Sequence, residues 1–518
     1  MKTTPKLLMS VGMLTMLTPY ALGQWSADPS VHLVVADGPG EQVQPKIVAT
    51  PDGGCYISWY TSQFGYDVRL QRLDAAGNEM WAHNGILIAD RGFSSTQDYG
   101  LDVDTSGNAV IAFRDDRFGG VKVTAQSIAP DGSALWGANG IQFTNGTDFV
   151  ASPDVAATTD GSTVVAWINN SDTDLAKIDT NGSVVWTSEL TDPGGSGINL
   201  ASMNGSGSGS VIVSWVQFAA FFDPKHLYAQ KINPDGTEAW ASRVAVFDGG
   251  SLQFGNFPEF VADDSGGAVF SWYDTANGLN VFAQHLASDG RESFPHNGAM
   301  VSTAPRERVA PTAGYDPATS SVIVSWVELA NNQGSQGIYT QRLDPTGARM
   351  WTDSGIELSP VDGTPSGTVN VQVMDKAITT IWIQGDGQNN HDQIHAHALD
   401  TSGADSWGDG TVVIASDFAQ RSRLKTALSS DGFVIAGWQV GDFGVADLES
   451  HNLNPDGTLG TASCPADLTG DGVLNFFDVS AFLAAFTAQD PAADFTNDGV
   501  YNFFDVSAFL AAFSQGCP

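Results

Sequence analysis

Basic residues are scarce in this chain. Lysine and arginine total 22 against 58 aspartates and glutamates in 518 residues, a formal net charge of −36. Such a surface disfavours nucleic acid and anionic membranes as partners. Charged residues of both signs make up only 15 % of the sequence, too few for a disordered acidic tail. No nucleophile motif, phosphate loop or complete metal-ligand set stands in the long central region. No segment has 18 apolar residues in a row, so no membrane-spanning helix is expected. Cysteines number three. One of them, Cys55, lies in the apolar run Cys55-Tyr56-Ile57-Ser58-Trp59 and reads as a buried thiol.

The N-terminus has the layout of an export signal. Lys2 and Lys6 precede an apolar stretch from Leu7 to Leu17, and Ala21-Leu22-Gly23 offers small residues for cleavage before Gln24. Residues 1–23 are therefore expected to be removed and the mature chain secreted. Losing Lys2 and Lys6 shifts the net charge from −36 to about −38.

What is present is repetition. An apolar strand ending in an aromatic recurs eight times at intervals of 48 to 57 residues, as Ile57-Ser58-Trp59, Ile111-Ala112-Phe113, Val165-Ala166-Trp167, Val213-Ser214-Trp215, Phe270-Ser271-Trp272, Val324-Ser325-Trp326, Thr380-Ile381-Trp382 and Ala436-Gly437-Trp438. About twenty residues later a second mark follows, a Gly with an aromatic four residues on. It runs from Gly77…Trp81 through Gly132…Trp136, Gly182…Trp186, Gly236…Trp240, Gly290…Phe294 and Gly347…Trp351 to Gly403…Trp407. The eighth copy reaches Pro455-Asp456-Gly457 and stops. Each unit reads as four short strands joined by Gly, Asp and Asn turns. In unit one these are Pro45–Thr50, Cys55–Tyr60, Asp67–Leu73 and Glu79–Ala89.

Eight such units predict an all-β chain, a β-propeller over residues 24–460, with a stacked solenoid as the alternative and seven blades plus an insert as the fallback. Closure is favoured by the ends. The last unit lacks its fourth strand, and Val31–Asp37 aligns with the fourth strand of unit one, so an N-terminal strand is expected to complete the final blade. The Gly-to-aromatic spacing resembles the tryptophan-docking motif of quinoprotein-type eight-bladed propellers, in which the aromatic of each blade packs on its neighbour. Enzymes of that type typically carry a vicinal cysteine pair, which this chain lacks. The fold implication is retained and the redox function is not.

The last 55 residues carry one sequence twice. Asp467 to Asp478 returns as Asp494 to Asp505, 27 residues on. Oxygen-bearing side chains stand at loop positions 1, 3, 5, 9 and 12, with Gly at position 6, the layout of a 12-residue calcium loop. Each loop runs into the same segment, Val479–Phe486 and Val506–Phe513, where Val479, Phe482, Leu483 and Phe486 are predicted to share one helical face. No comparable helix precedes either loop, so a loop–helix repeat fits better than an EF-hand.

Residues 464–518 resemble a type I dockerin, the duplicated module that docks secreted proteins onto cohesin domains, and the Gly516-Cys517 ending looks like its GC-type variant. The resemblance implies two calcium ions. The first would be held by Asp467, Thr469, Asp471, the Val473 carbonyl, Asn475 and Asp478, the second by Asp494, Thr496, Asp498, the Val500 carbonyl, Asn502 and Asp505. Thr at position 3 departs from the usual Asn or Asp. Phe476-Phe477 and Phe503-Phe504 stand where the family often shows a small hydroxyl pair to cohesin, which marks them as partner-binding residues. One Phe of each pair is expected to face the partner and the other to pack inward. Cys464 and Cys517 bracket the module, and a bridge between them would contribute on the order of 4 kcal/mol by the chain-entropy argument. A calcium-stabilised knob without a partner is the plainer alternative.

Two functional classes follow. One is a noncatalytic propeller that binds a ligand and is tethered at the cell surface or in an extracellular complex. The other is a polysaccharide-active enzyme, a hydrolase of O-glycosyl bonds with the same anchor, since dockerins often tether such enzymes. Any propeller site is expected on the face carrying the longer strand two–three loops. Asp115, Asp116, Asp274, Glu328 and Asp386 on those loops are the acid–base candidates. His391, His395 and His397, with Asp392, form the only histidine cluster, short of a full zinc set.

Overall fold

The computed structural model describes residues 25–63, 65–92, 98–144, 147–276, 278–374, 377–386, 391–408, 410–442, 444–460, 466–469, 474–496 and 499–515. The expected leader, Cys464, Cys517, Asp471, Val473 and Asp498 lie outside them, so the disulfide, the cleavage site and two ligands of the first loop and one of the second do too.

Among the described residues thirty-two strands form eight antiparallel sheets of four. Seven blades use four consecutive strands, as in blade one with Gln42–Ala49, Cys55–Thr61, Asp67–Leu73 and Ile86–Ala89. The eighth takes Arg421–Leu428, Val434–Val440 and Asp447–Leu453 from the end of the repeat and Leu33–Ala36 from its start. Leu33 pairs with Ser450, Val34 with Glu449 and Ala36 with Leu448. Blade eight also packs on blade one through their first strands. The chain is a closed eight-bladed β-propeller, and the solenoid and seven-blade alternatives fall away.

Second strands sit between two neighbours within the sheet and between two blades across it. Cys55–Thr61 is accordingly buried at every position, which is why these strands read as near-continuous apolar runs. The aromatics that close them, Trp59, Trp215, Trp272, Trp326, Trp382 and Trp438, are among the largest fully buried side chains.

Fourth strands differ from expectation in most blades. The Gly turn closes through an isolated bridge such as Leu73 to Glu79, and a further turn follows before Ile86–Ala89. That interruption drops the aromatic out of the sheet and onto the next blade. Gly132 abuts Trp81, Gly182 abuts Trp136, Gly236 abuts Trp186, Gly290 abuts Trp240, Gly347 abuts Phe294, Gly403 abuts Trp351 and Gly457 abuts Trp407. Several indoles also donate to the carbonyl two residues before that glycine, as Trp81 to Pro130 at 3.1 Å and Trp407 to Pro455 at 2.9 Å.

The eighth contact comes from Trp25. Its ring covers Gly77, where φ is +82° and a Cβ would lie 2.7 Å from the indole, and its Nε1 donates to the Ala75 carbonyl at 2.9 Å. The aromatic absent after Gly457 is thus supplied from the other end of the chain.

After the ring, α1 (Phe476–Ala488) and α2 (Phe503–Gln515) form a two-helix module. Phe482 and Phe509, equivalent positions of the duplication, stack at 4.1 Å with planes 7° apart, so an approximate twofold axis passes between them. Val479 and Phe486 join this core. Leu483 does not. It is 54 % exposed, and its equivalent Leu510 is 52 % exposed.

Candidate functional site

The first strands of all eight blades line a central channel with a cavity of about 580 Å³. Six of these strands carry a bulge near their start. At Gln44, Ser152, Ala310, Thr368 and Arg423 the bulged backbone has positive φ, a conformation that costs free energy for residues other than glycine. The bulges lie toward the end of the channel where the inter-blade connections enter.

Below them the channel wall is charged. Lys46 pairs with Asp98 at 2.9 Å and Lys425 with Glu259 at 3.6 Å. Asp102 accepts from the Ala157 N–H of the next blade at 2.7 Å, and Asp154 accepts from the Met203 N–H of the blade after at 3.0 Å. The inner edge of each of these first strands would otherwise leave such amides unpaired. Burial in the wall pushes Asp154 up to about 7, against the pull of Lys46. It pushes Asp102 up to about 6, against its backbone donors.

On the loop face a second cavity, of about 540 Å³, opens between blades three, four and five. Its walls are mainly apolar and include Phe149, Phe218, Phe254 and Phe257, with Lys225 at one side. Lys225 Nζ donates to the Phe221 carbonyl at 2.8 Å and the Asp223 carbonyl at 3.0 Å. It lies 5.3 Å from the ring centre of Phe218, 5.6 Å from that of Phe254 and 6.0 Å from that of Phe221. Asp98, Asn256 and Phe257 line both cavities, so the pocket borders the channel.

The carboxylates singled out in the sequence are each engaged by neighbouring groups, and Glu328 stands inside the strand Ser321–Ala330 rather than on a loop. Asp115 is buried against Arg117 at 2.7 Å and Thr124 at 2.7 Å. Asp274 accepts from the amides of Ser251 and Ala276, both at 2.9 Å. Glu328 pairs with Arg308 at 3.1 Å and accepts from Trp326 Nε1 at 2.7 Å. Asp116 accepts from the Gly92 amide at 3.1 Å, and Asp386 pairs with His391 at 3.1 Å. The histidines do not converge. His391 stacks on Phe418, His395 takes Gln393 as partner and His397 approaches Thr411 and Asp405. Burial lowers His395 to about 4. Cys55 is a buried free thiol, its ionisation suppressed chiefly by burial.

Sequence reading missed the channel charges and the Phe–Lys pocket. A signal existed in the segment Phe218-Ala219-Ala220-Phe221-Phe222-Asp223-Pro224-Lys225, where three phenylalanines precede a lysine.

In the C-terminal module the described oxygens of each loop gather at its helix start. Asn475 caps α1 in a capping box with Asp478, whose buried carboxylate also accepts from the Thr469 amide at 3.1 Å and hydroxyl at 2.8 Å. Asp505 does the same for Thr496 at 3.1 and 2.8 Å. Backbone donation by Asn475 leads in holding Asp478 well below the ordinary carboxylate range, and backbone donation by Asn502 leads in lowering Asp505. Among the described residues no group of three or more His, Cys, Asp or Glu is placed to hold a metal ion. The third acid of each loop, Asp471 or Asp498, falls outside that set. The aromatic pairs overturn one expectation. Neither member packs inward, since Phe476 and Phe503 are 75 % exposed and Phe477 and Phe504 are 68 % exposed. The core of the module is built instead around Phe482, Phe486, Phe495, Phe509 and Phe513.

No protein-family model matches this chain, and no curated protein matches it. Solved structures with a similar arrangement include an ulvanlyase from a new family of polysaccharide lyase, at 12 % identity and TM-score 0.45, covering 84 % of this chain and 97 % of that one. The Dos1 propeller is similar at 13 % identity and TM-score 0.45, covering 82 % and 94 %. An α-L-arabinanase from Penicillium chrysogenum is similar at 11 % identity and TM-score 0.36, covering 61 % and 98 %. These are likenesses at the level of blades in a ring. By its own strand pairing the chain is an eight-bladed β-propeller followed by a two-helix module.

Proposed function

We propose that this is an exported binding protein. Its propeller takes a ligand on the loop face, and its C-terminal module is a calcium-dependent dockerin-like anchor. The observation that carries the anchor is the duplicated loop–helix unit. In both copies the first-turn Asp is buried, turned back into its loop and hydrogen-bonded to the Thr of position 3. That gathers hard oxygen donors where a calcium ion would be held by Asp467, Thr469, Asp471, the Val473 carbonyl, Asn475 and Asp478. The second ion would be held by Asp494, Thr496, Asp498, the Val500 carbonyl, Asn502 and Asp505. Such ions would supply a fixed charge that organises the loop. A Cys464–Cys517 bridge would fasten the ends of the module. Binding rather than glycoside cleavage is favoured on the propeller because the candidate carboxylates are already engaged by neighbouring groups.

The partner surface is the exposed aromatic set Phe476, Phe477, Phe503 and Phe504. Exposed rings of this size mark interaction sites. The twofold relation of the helices presents the set twice, so one cohesin-like partner can engage in either of two orientations. Binding of the full chain to immobilised cohesin domains should require calcium. Changing Phe476 and Phe477 to Ala should leave it largely intact through the second copy, and changing all four should abolish it. Calcium-independent capture, or complete loss in the first double variant with the fold kept, would refute this reading.

A further inference from the structure

The Phe–Lys pocket on the loop face carries more information than its shape. Lys225 is only 7 % exposed. The other buried lysine among the described residues, Lys177, is neutralised by Asp160 at 2.7 Å, and the half-buried Lys46 by Asp98 at 2.9 Å. Among the described residues Lys225 has no such carboxylate, only two backbone carbonyls and the faces of three phenylalanines. Ring faces and carbonyls attract an ammonium but do not cancel its charge, and removing that charge from water is costly without a counter-ion. The cavity beside it, about 540 Å³, is the size of a small-molecule site. Two of its aromatics, Phe149 and Phe254, are more than half exposed, which is unfavourable surface in water and usable surface for a ligand ring.

We propose that this pocket binds an aryl carboxylate, with the ring among Phe149, Phe254 and Phe257 and the carboxylate toward Lys225. The walls decide the class. An inorganic anion would satisfy Lys225 and leave the phenylalanines wet. A neutral sugar would set hydroxyls against phenylalanine and leave the ammonium uncompensated. Asp98, where the pocket meets the channel, is already held by Lys46 and repels a second negative group on the ligand, so a monoanion fits best. This inference rests on the loop face being the ligand-binding face and is independent of the C-terminal anchor.

The test uses the intact chain and 4-hydroxybenzoate, with 4-hydroxybenzamide as its uncharged counterpart, followed by saturation-transfer NMR and calorimetric titration. The acid should bind, and the amide should bind about tenfold more weakly or worse. Lys225→Met should lose at least the same factor. Because Lys225 also holds its loop carbonyls, the exposed Phe254 is changed in parallel, and Phe254→Ala should weaken binding several-fold at an unchanged melting temperature. Equal affinity for acid and amide, or full affinity in both variants, overturns the proposal. So does no binding of the acid at millimolar concentration. A neutral oligosaccharide panel in the same experiment separates the two levels. Oligosaccharide binding without acid binding removes the ligand class and keeps the loop face as a binding face, and binding of neither removes both.

Discussion

Asp154 shows how a single residue in the channel wall couples fold and solvent. Its carboxylate caps the Met203 amide across a blade boundary, and burial raises it to about 7. An acid raised above its unfolded value binds its proton more tightly in the folded chain. Its stabilising contribution is full below about pH 4 and is lost as pH rises through 7. Asp154→Asn keeps an acceptor for the amide and cannot ionise. The melting temperature of that variant should therefore fall less between pH 5 and pH 8 than that of the parent, by on the order of 2 °C. Asp102, raised to about 6, remains in the variant and leaves a residual slope. Identical slopes in the two proteins would mean that Lys46 fully offsets the burial of Asp154.

At the scale of elements, the N-terminal segment closes the ring twice over. Leu33–Ala36 pairs with Asp447–Leu453, the third strand of blade eight, and Trp25 covers the Gly77 turn of blade one. The first contact removes a sheet edge and the second completes the cycle of aromatics on glycine turns. Around it, His32 lies 2.5 Å from Asp417 and edge-on to Trp438. Deleting residues 24–38 should therefore expose Asp447–Leu453, lower the melting temperature sharply and promote aggregation. Trp25→Ala alone should cost roughly 3–5 kcal/mol, as for other buried tryptophans, without exposing the strand edge. Thermal melts and light scattering distinguish the two. A deletion that melts like the parent would show that three strands suffice for blade eight.

For the whole molecule, ring and module obey different physics. The ring is held by apolar packing between blades and closed by the pairing of Leu33–Ala36 with Asp447–Leu453. The module has a small core around Phe482 and Phe509, and a domain of that size gains little from burial alone. Calorimetry of the full chain should therefore show two transitions. The smaller should move up with calcium and down with chelator, by about 2.7 kcal/mol for each of the two loops when calcium is at a hundredfold excess over its dissociation constant. The larger should stay in place. One transition insensitive to chelator would count against calcium as the element that organises the tail.

The sequence by itself determined the number of blades, the donation of an N-terminal strand and the duplicated tail. These features are local and periodic. Each unit encodes its own Gly turns and its own doubly buried second strand, and a Gly followed by an aromatic four residues later repeats whatever lies between. Tertiary structure alone decided what happens between blades. Alternation assigns a side chain to one face of a sheet, not to a neighbour some fifty residues away. It could not show that Lys46 meets Asp98, that Asp154 caps a strand of the next blade, or that Trp25 stands in for the aromatic missing after Gly457. The same limit hid the engagement of Asp115 and Glu328 by Arg117 and Arg308, and the approach of Phe254 to Lys225 across the connection that leaves blade four. Charge, burial and ring contacts depend on distances that only the closed ring sets.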